Sequence, residues 1–346
     1  MRRIATIRTI FPAVLLALFL TATTGYSFTA LYVFGDSLSD TGRNPAPPGS
    51  YFNGRYSNGP LWVEYLSAQL GLTYNASNNF AVSGSATSGL ASQIAGLAPS
   101  TNLHTALFTV WSAGNDFQDN VSLGVNDAGW SNVVVTAVSN LTNAIGALFT
   151  NGAREVVVAN LPNLGQAPGS ASFPPGYPAY VDSKVALFNA MLATALTNVM
   201  QQNPGLRIYP LDANSFLTGI LSAPATFGFT VTTKGALEDP SLTDKSFNGP
   251  GADYVFWDII HPTTKVHALV ATLAFQRVAV ELNIARNGTN FSLTVLNLSP
   301  GLQYTIQNST NLSTWSDYQT LTAGGTNATV ALTNGPGAKA YYRVRY

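Results

Sequence analysis

The stretch Leu31-Tyr32-Val33-Phe34-Gly35-Asp36-Ser37-Leu38-Ser39-Asp40 reads as a buried strand that ends abruptly at a serine. Four consecutive apolar residues suit a strand covered on both faces, not the alternation of a half-exposed one. Runs of the same kind recur at 105–111, 155–160 and 206–211, and helical stretches lie between and after them at 61–70, 130–149, 181–200 and 263–282. Strand and helix in alternation predict βαβ units, and therefore a parallel sheet covered by helices on both faces. Ligands of such sheets bind at the carboxyl ends of the strands. Ser37 falls at such an end, where a following helix is expected to direct its first amides at the site. Three Pro/Gly/Asn-rich stretches, 43–60, 163–180 and 224–253, read as long loops suited to walling a cleft.

The chain has 346 residues, with 16 Lys plus Arg against 16 Asp plus Glu and only 9% charged residues. That balance argues against a nucleic-acid partner, which needs clustered cations facing phosphates. At 46% hydrophobic and 11% aromatic, the chain has ample surface to bury and does not have the composition of a disordered protein. Cysteine is absent, so disulfides, thiolate nucleophiles and cysteine metal sites are excluded together. The three histidines, His104, His261 and His267, show no metal-binding spacing, so neither a metal nor any other cofactor is expected. Residues 1–27 open with Arg2, Arg3 and Arg8, continue through an apolar run at 10–20 and close in small or polar residues, the pattern of a cleavable signal peptide. No later segment is expected to cross a membrane, which predicts a secreted or periplasmic product.

The texture changes after residue 282. Short β-branched or aromatic runs separated by Gly and Asn turns replace the helical period. The expected organisation is an α/β domain over 28–283 and a small all-β, sandwich-like accessory domain over 284–346, with the polar stretch 284–290 as linker.

Gly-Asp-Ser by itself is a weak signal, since a turn or helix cap accounts for most isolated matches. The far end of the α/β domain changes its weight. There Trp257-Asp258-Ile259-Ile260-His261-Pro262 precedes a helical segment, with Pro262 expected at the first helical position and His261 at the cap. Three residues of separation across that turn let the Asp258 carboxylate reach Nδ1 of His261 while Nε2 faces outward, the orienter and base of a serine nucleophile. Gly114-Asn115-Asp116 follows the strand at 105–111 and offers a side-chain amide to an oxyanion, and Gly84 offers an unhindered backbone amide.

Gly35-Asp36-Ser37-Leu38, Gly84, Gly114-Asn115-Asp116 and Asp258-x-x-His261, in this order, resemble the blocks of the GDSL, or SGNH, family of serine esterases and lipases. Asn53-Gly54-Arg55-Tyr56-Ser57-Asn58-Gly59-Pro60 and Asn160-Leu161-Pro162-Asn163-Leu164-Gly165 add to the likeness, which spans about 30–282. The resemblance implies a flavodoxin-like three-layer α/β/α sandwich. It also implies Ser37 as nucleophile, His261 as base and Asp258 as orienter, with the Ser37 amide, the Gly84 amide and the Asn115 side chain as oxyanion donors. The expected activity is hydrolysis of carboxylic esters through an acyl-enzyme, on a lipid or short-chain acyl ester in preference to an acylated carbohydrate. The absence of any G-x-S-x-G sequence argues against an α/β-hydrolase version of the same chemistry. The competing expectation is an inactive protein that contacts a surface or polymer through its C-terminal domain.

Overall fold

The computed structural model describes residues 28–98, 103–123, 125–244, 246, 249–278, 281–287, 290–296, 298, 303–311, 313–325, 327–332 and 341–345. The signal peptide expected at 1–27 lies outside the described residues. Four strands, β1 (Leu31–Gly35), β2 (Leu107–Trp111), β3 (Glu155–Ala159) and β4 (Arg207–Leu211), pair in parallel in the order β1-β2-β3-β4. They fall where the apolar runs placed them. Beyond β1, the amides of Phe80 and Val82 donate to the carbonyls of Val33 and Gly35 at 2.7 and 3.1 Å, and Asn79 bridges Val33 in parallel. With this segment counted second, the spatial order is 2-1-3-4-5, the flavodoxin arrangement.

Among the described residues seven α-helices accompany the sheet: α1 (Trp62–Gln69), α2 (Leu90–Ala95), α3 (Gly114–Leu123), α4 (Asp127–Thr150), α5 (Tyr177–Gln202), α6 (Ala213–Ser222) and α7 (Thr264–Val278). The two-residue alternation of the strands divides them into layers. Phe34, Phe108, Val110, Val156, Val158 and Ile208 face a core built with α2, α4 and α5. Leu31, Val33, Leu107, Val157, Tyr209 and Leu211 face the opposite core, built with α1, α6 and α7. A fully buried side chain of this size contributes about 1.5–3 kcal/mol, and a one-residue register slip would exchange the two sets between cores of different shape. By length and composition alone α4 is long and apolar enough to cross a membrane, a test that the core helix of a globular domain also meets. Here Trp130, Val134, Ala137, Leu141, Ala144 and Leu148 make its buried stripe against the sheet.

Three local expectations are corrected. No helix follows Ser37: a single turn closes with the Ser39 and Asp40 amides donating to the Asp36 carbonyl, and the chain then runs without helix to α1. The cause is Asp40, whose carboxylate collects the amides of Gly42, Arg43 and Asn44 at 2.6–2.9 Å and so satisfies a loop in place of a helix. The stretch 224–253 is more than loop, since it contains β5 (Val231–Gly235), paired in parallel with β6 (Tyr254–Phe256). The stretch 284–290 is not a linker. α7 ends at Val278, and β7 (Glu281–Asn287) pairs antiparallel with β8 (Asn290–Leu296). Backbone pairing does not require apolar side chains on the open face, so exposed Asn283, Ile284 and Ala285 disguised a strand as a connection. Gly288-Thr289, the dipeptide between the paired Asn287 and Asn290, was the hairpin signal in the sequence.

The remaining strands are β9 (Gln303–Ser309), β10 (Ser316–Thr322), β11 (Ala328–Leu332) and β12 (Tyr341–Arg345). They complete two three-stranded antiparallel sheets, β10-β9-β12 and β11-β8-β7, with alternate residues such as Leu293, Val295, Tyr304, Ile306, Val330 and Leu332 buried. This is a small β domain. By contacts the chain divides between Ala279 and Val280.

Candidate active site

Gly35 ends β1 with φ +148°, and a Cβ there would lie 2.1 Å from the Trp111 carbonyl oxygen of β2. Only glycine lets the strand close against its neighbour at this point. The Gln93 side chain of α2 then brackets the glycine, accepting from its N–H at 2.9 Å and donating to its carbonyl at 2.8 Å. The next two residues, Asp36 and Ser37, are thereby presented at the carboxyl edge of the sheet.

The Asp258–His261 pair reaches Ser37 from the other end of the domain. It lies in a hairpin loop and not at a helix cap. Trp257 donates to the His261 carbonyl at 2.7 Å and Thr263 to Val255 at 2.9 Å, so Pro262 is held opposite Phe256 and α7 begins only at Thr264. The three-residue spacing still acts as the sequence suggested. Asp258 Oδ1 accepts the backbone amides of Ile260 and His261 at 2.8 and 2.7 Å, and Oδ2 lies 2.7 Å from His261 Nδ1. His261 Nε2 lies 2.8 Å from Ser37 Oγ. With Nδ1 donating to the carboxylate, Nε2 is left as the acceptor for the serine hydroxyl. Burial alone would raise the Asp258 carboxyl, but the hydrogen bond from the His261 ring, the histidine's charge and the two amides outweigh it and hold the group below the ordinary carboxylate range.

Two other titratable groups line the same cleft. Burial pushes the Asp36 carboxyl up to about 7 and the His267 imidazole down to about 3. Both ring nitrogens of His267 are buried without a hydrogen-bond partner among the described residues. The cleft measures about 860 Å³ counted to its open mouth and runs from Ser37, Asn115 and His261 inward between Leu161, Phe216, Leu217, Phe256 and Val270. It is a mostly apolar recess with its polar groups gathered at one end, as ligand sites are.

Asn115, at the start of α3, lines this cleft and donates through Nδ2 to the Ser85 carbonyl at 3.0 Å, leaving its second amide hydrogen for another acceptor. Ala113, two residues earlier, has φ +113°, a strained conformation for a residue with a Cβ that costs on the order of 1–3 kcal/mol. Gly84 does not itself line the cleft. It occupies a tight turn closed by Ser85 donating to Val82 at 3.0 Å, and its φ of +81° is that of the third residue of a type II turn. In such a turn the orientation of the central peptide decides where the Gly84 N–H points. That peptide is clamped: Asn44 Nδ2 donates to the Ser83 carbonyl at 2.8 Å, and Asp40 Oδ2 accepts from Ser83 N and Oγ at 2.7 and 2.9 Å. The amides of Ser37 and Gly84 donate to no other group among the described residues. Asp116 accepts both the amide and the hydroxyl of Thr87, at 2.8 and 2.7 Å, and so joins α3 to the segment after this turn.

Sequence reading missed Gln93, Asp40, Asn44 and the tyrosines of the 43–60 loop. Tyr51 OH donates to Asp258 Oδ2 at 2.9 Å, and the Tyr56 ring packs 4.8 Å from the His261 ring. The first two tie sites together across gaps of 58 and 43 residues, which no periodicity encodes. Asp40 and Asn44 stood in plain sight beside the serine motif, but side-chain acceptors in loops have no pattern beyond their residue type. Among the described residues no group of three or more His, Asp or Glu side chains is placed to hold a metal ion.

Ser37, His261 and Asp258 thus meet in one chain of contacts at the carboxyl edge of a 2-1-3-4-5 sheet. The family model for GDSL-like lipase/acylhydrolase matches residues 31–274, and the chain belongs to that family. It is similar to a GDSL esterase/lipase of Arabidopsis thaliana, 27% identical over 74% of this chain and 84% of the relative. The phosphatidylcholine-sterol acyltransferase of Aeromonas hydrophila is 25% identical over 71% of this chain and 88% of its own. The thermolabile hemolysin of Vibrio parahaemolyticus is 29% identical over 68% of this chain and 60% of its own. Among solved structures, an acetyl-xylooligosaccharide esterase of Geobacillus aligns with TM-score 0.44 at 14% identity, over 74% of this chain and 97% of that one.

Proposed function

We propose that the protein is an exported carboxylic ester hydrolase that works through an acyl-enzyme on Ser37. The observation that carries this reading is the unbroken path from Asp258 through His261 to Ser37, with contacts of 2.7 and 2.8 Å, at the mouth of an apolar cleft. Ser37 Oγ attacks the ester carbonyl while His261 Nε2 takes its proton, and Asp258 holds the ring and stabilises the imidazolium that forms. The oxyanion is met by the Ser37 and Gly84 amides and the Asn115 side chain. His261 then delivers the proton to the leaving alcohol. In the second half a water molecule gives a proton to His261 and attacks the acyl carbonyl, and the acyl–Oγ bond then breaks as His261 returns that proton to Ser37 Oγ, releasing the acid and restoring the serine. The apolar walls support an acyl chain as the occupant of the cleft, and the hydrophobic stretch within 1–27 supports export.

The test is labelling by a fluorophosphonate probe together with turnover of p-nitrophenyl esters from acetyl to palmitoyl, a phospholipid and acetylated xylan. The wild-type chain should label and turn over at least one ester series, and Ser37→Ala should do neither while folding normally. Labelling that survives in Ser37→Ala assigns the nucleophile elsewhere.

A further inference from the structure

Asp258 is held by more than its own hairpin. Its Oδ2, the oxygen that meets His261 Nδ1 at 2.7 Å, also accepts the Tyr51 hydroxyl at 2.9 Å from a loop 207 residues away. The other oxygen is engaged by two backbone amides, so the orientation of the carboxylate is already determined without the tyrosine. What remains for the hydroxyl to change is the charge that Oδ2 presents to the imidazole. Its loop is pinned on both sides of the hairpin: Trp257 Nε1 donates to the Ser50 carbonyl at 3.0 Å, Ser57 Oγ to the Pro262 carbonyl at 3.0 Å, and Thr264 N to Asn58 Oδ1 at 2.8 Å.

We propose that Tyr51 is a positioning residue that acts on His261 through Asp258, sharing Oδ2 with the imidazole and so weakening the pull of the carboxylate on the histidine proton. The proposal rests on the Ser37–His261–Asp258 reading and extends it to a fourth member. Burial and the negative charges of Asp258 and Glu238 raise the Tyr51 hydroxyl above its ordinary range, so it remains a donor wherever the enzyme works. The other groups that face His261 are Asp258 from its own hairpin, Asp36 from the end of β1, His267 from α7 and Tyr56 from the same loop as Tyr51. Tyr51→Phe leaves all of them in place and deletes one hydrogen bond.

The experiment uses the full chain and compares wild type with Tyr51→Phe. The rate on a small soluble ester is followed against pH, and the His261 ring is titrated by NMR, its signal assigned by loss in His261→Gln among the chain's three histidines. The acid limb of the profile and the His261 midpoint should both move to higher pH by about half a unit or more, because an undiluted carboxylate favours the imidazolium. The plateau kcat should lose far less than the roughly 10²–10⁴ that removal of a general base costs. An unmoved limb and midpoint in Tyr51→Phe would overturn the proposal, as would a collapse of kcat at every pH with the limb in place, since that outcome makes Tyr51 a support for Asp258. If Asp258→Asn retains full kcat, the triad itself fails and the proposal with it, which separates the two failures.

Discussion

Asp36 and His267 are both buried near His261 and are displaced in opposite directions, so they impose opposite pH dependences on stability. The folded chain holds a proton on Asp36 up to about 7, whereas the unfolded chain releases it near 3.8. Its contribution is fully present below 3.8 and is lost as pH rises through 7. His267 stays neutral in the folded chain down to about 3, whereas the unfolded chain takes up a proton near 6.5. Its contribution is present above 6.5 and is lost as pH falls toward 3. At 1.36 kcal/mol per pH unit the full spans are worth about 4 kcal/mol for Asp36 and about 5 kcal/mol for His267. Over the shared window of roughly pH 4–6.5 they nearly cancel, so the wild-type profile conceals both. Single variants expose them. Urea unfolding of wild type, Asp36→Asn and His267→Leu at intervals from about pH 7.5 to about pH 4.5 gives two difference curves. On acidification Asp36→Asn should lose stability relative to wild type, and His267→Leu should gain it, each by a few kcal/mol. His267→Leu should gain further at every pH by removing two buried ring nitrogens that have no partner among the described residues. Flat difference curves, or two of the same sign, would refute the reasoning that burial sets these two groups.

Asn115→Ala should lower kcat by roughly 10²–10³ with little change in KM, because its free amide hydrogen would act on charge that develops only in the transition state; steady-state kinetics on a soluble ester decides it, and a pure KM effect would reduce Asn115 to substrate binding. Gly35→Ala should cost about 3 kcal/mol or more, measured by denaturant unfolding, because its methyl would meet a backbone oxygen of the neighbouring strand at 2.1 Å and has no flexible side chain to displace. A chain ended after Ala279 should fold and hydrolyse a small ester, whereas one ended after Asn287 should aggregate on size-exclusion chromatography, because it keeps β7 without the β8 strand that pairs it.

The four central strands, the alternation that covers them and the residues Ser37, Asn115, Asp258 and His261 were legible in the chain. Each leaves a local mark: a run of apolar residues, a glycine where a strand must stop, or a carboxylate three residues before a histidine. The β1 reading at Leu31–Gly35 needed no partner, because burial on both faces is written in four adjacent side chains. Other features depended on distant chain segments. Polar residues suggested a linker where β7 pairs through its backbone, and Pro262 suggested a helix start where the 255–263 hairpin holds it three-dimensionally opposite Phe256. The Tyr51 hydroxyl on Asp258, the Asn44 amide on the Ser83 carbonyl and the Gln93 clamp on Gly35 join residues from 39 to 207 positions apart. A hydrogen bond of that span leaves no periodicity in the sequence, since either partner would look the same in any surface loop. Sequence thus determined the strands and marked the candidate groups Ser37, Asn115, Asp258 and His261, and tertiary structure decided what holds them, because hydrophobic pattern is local whereas the pairing of polar groups is settled only when the packed layers bring them within 3 Å.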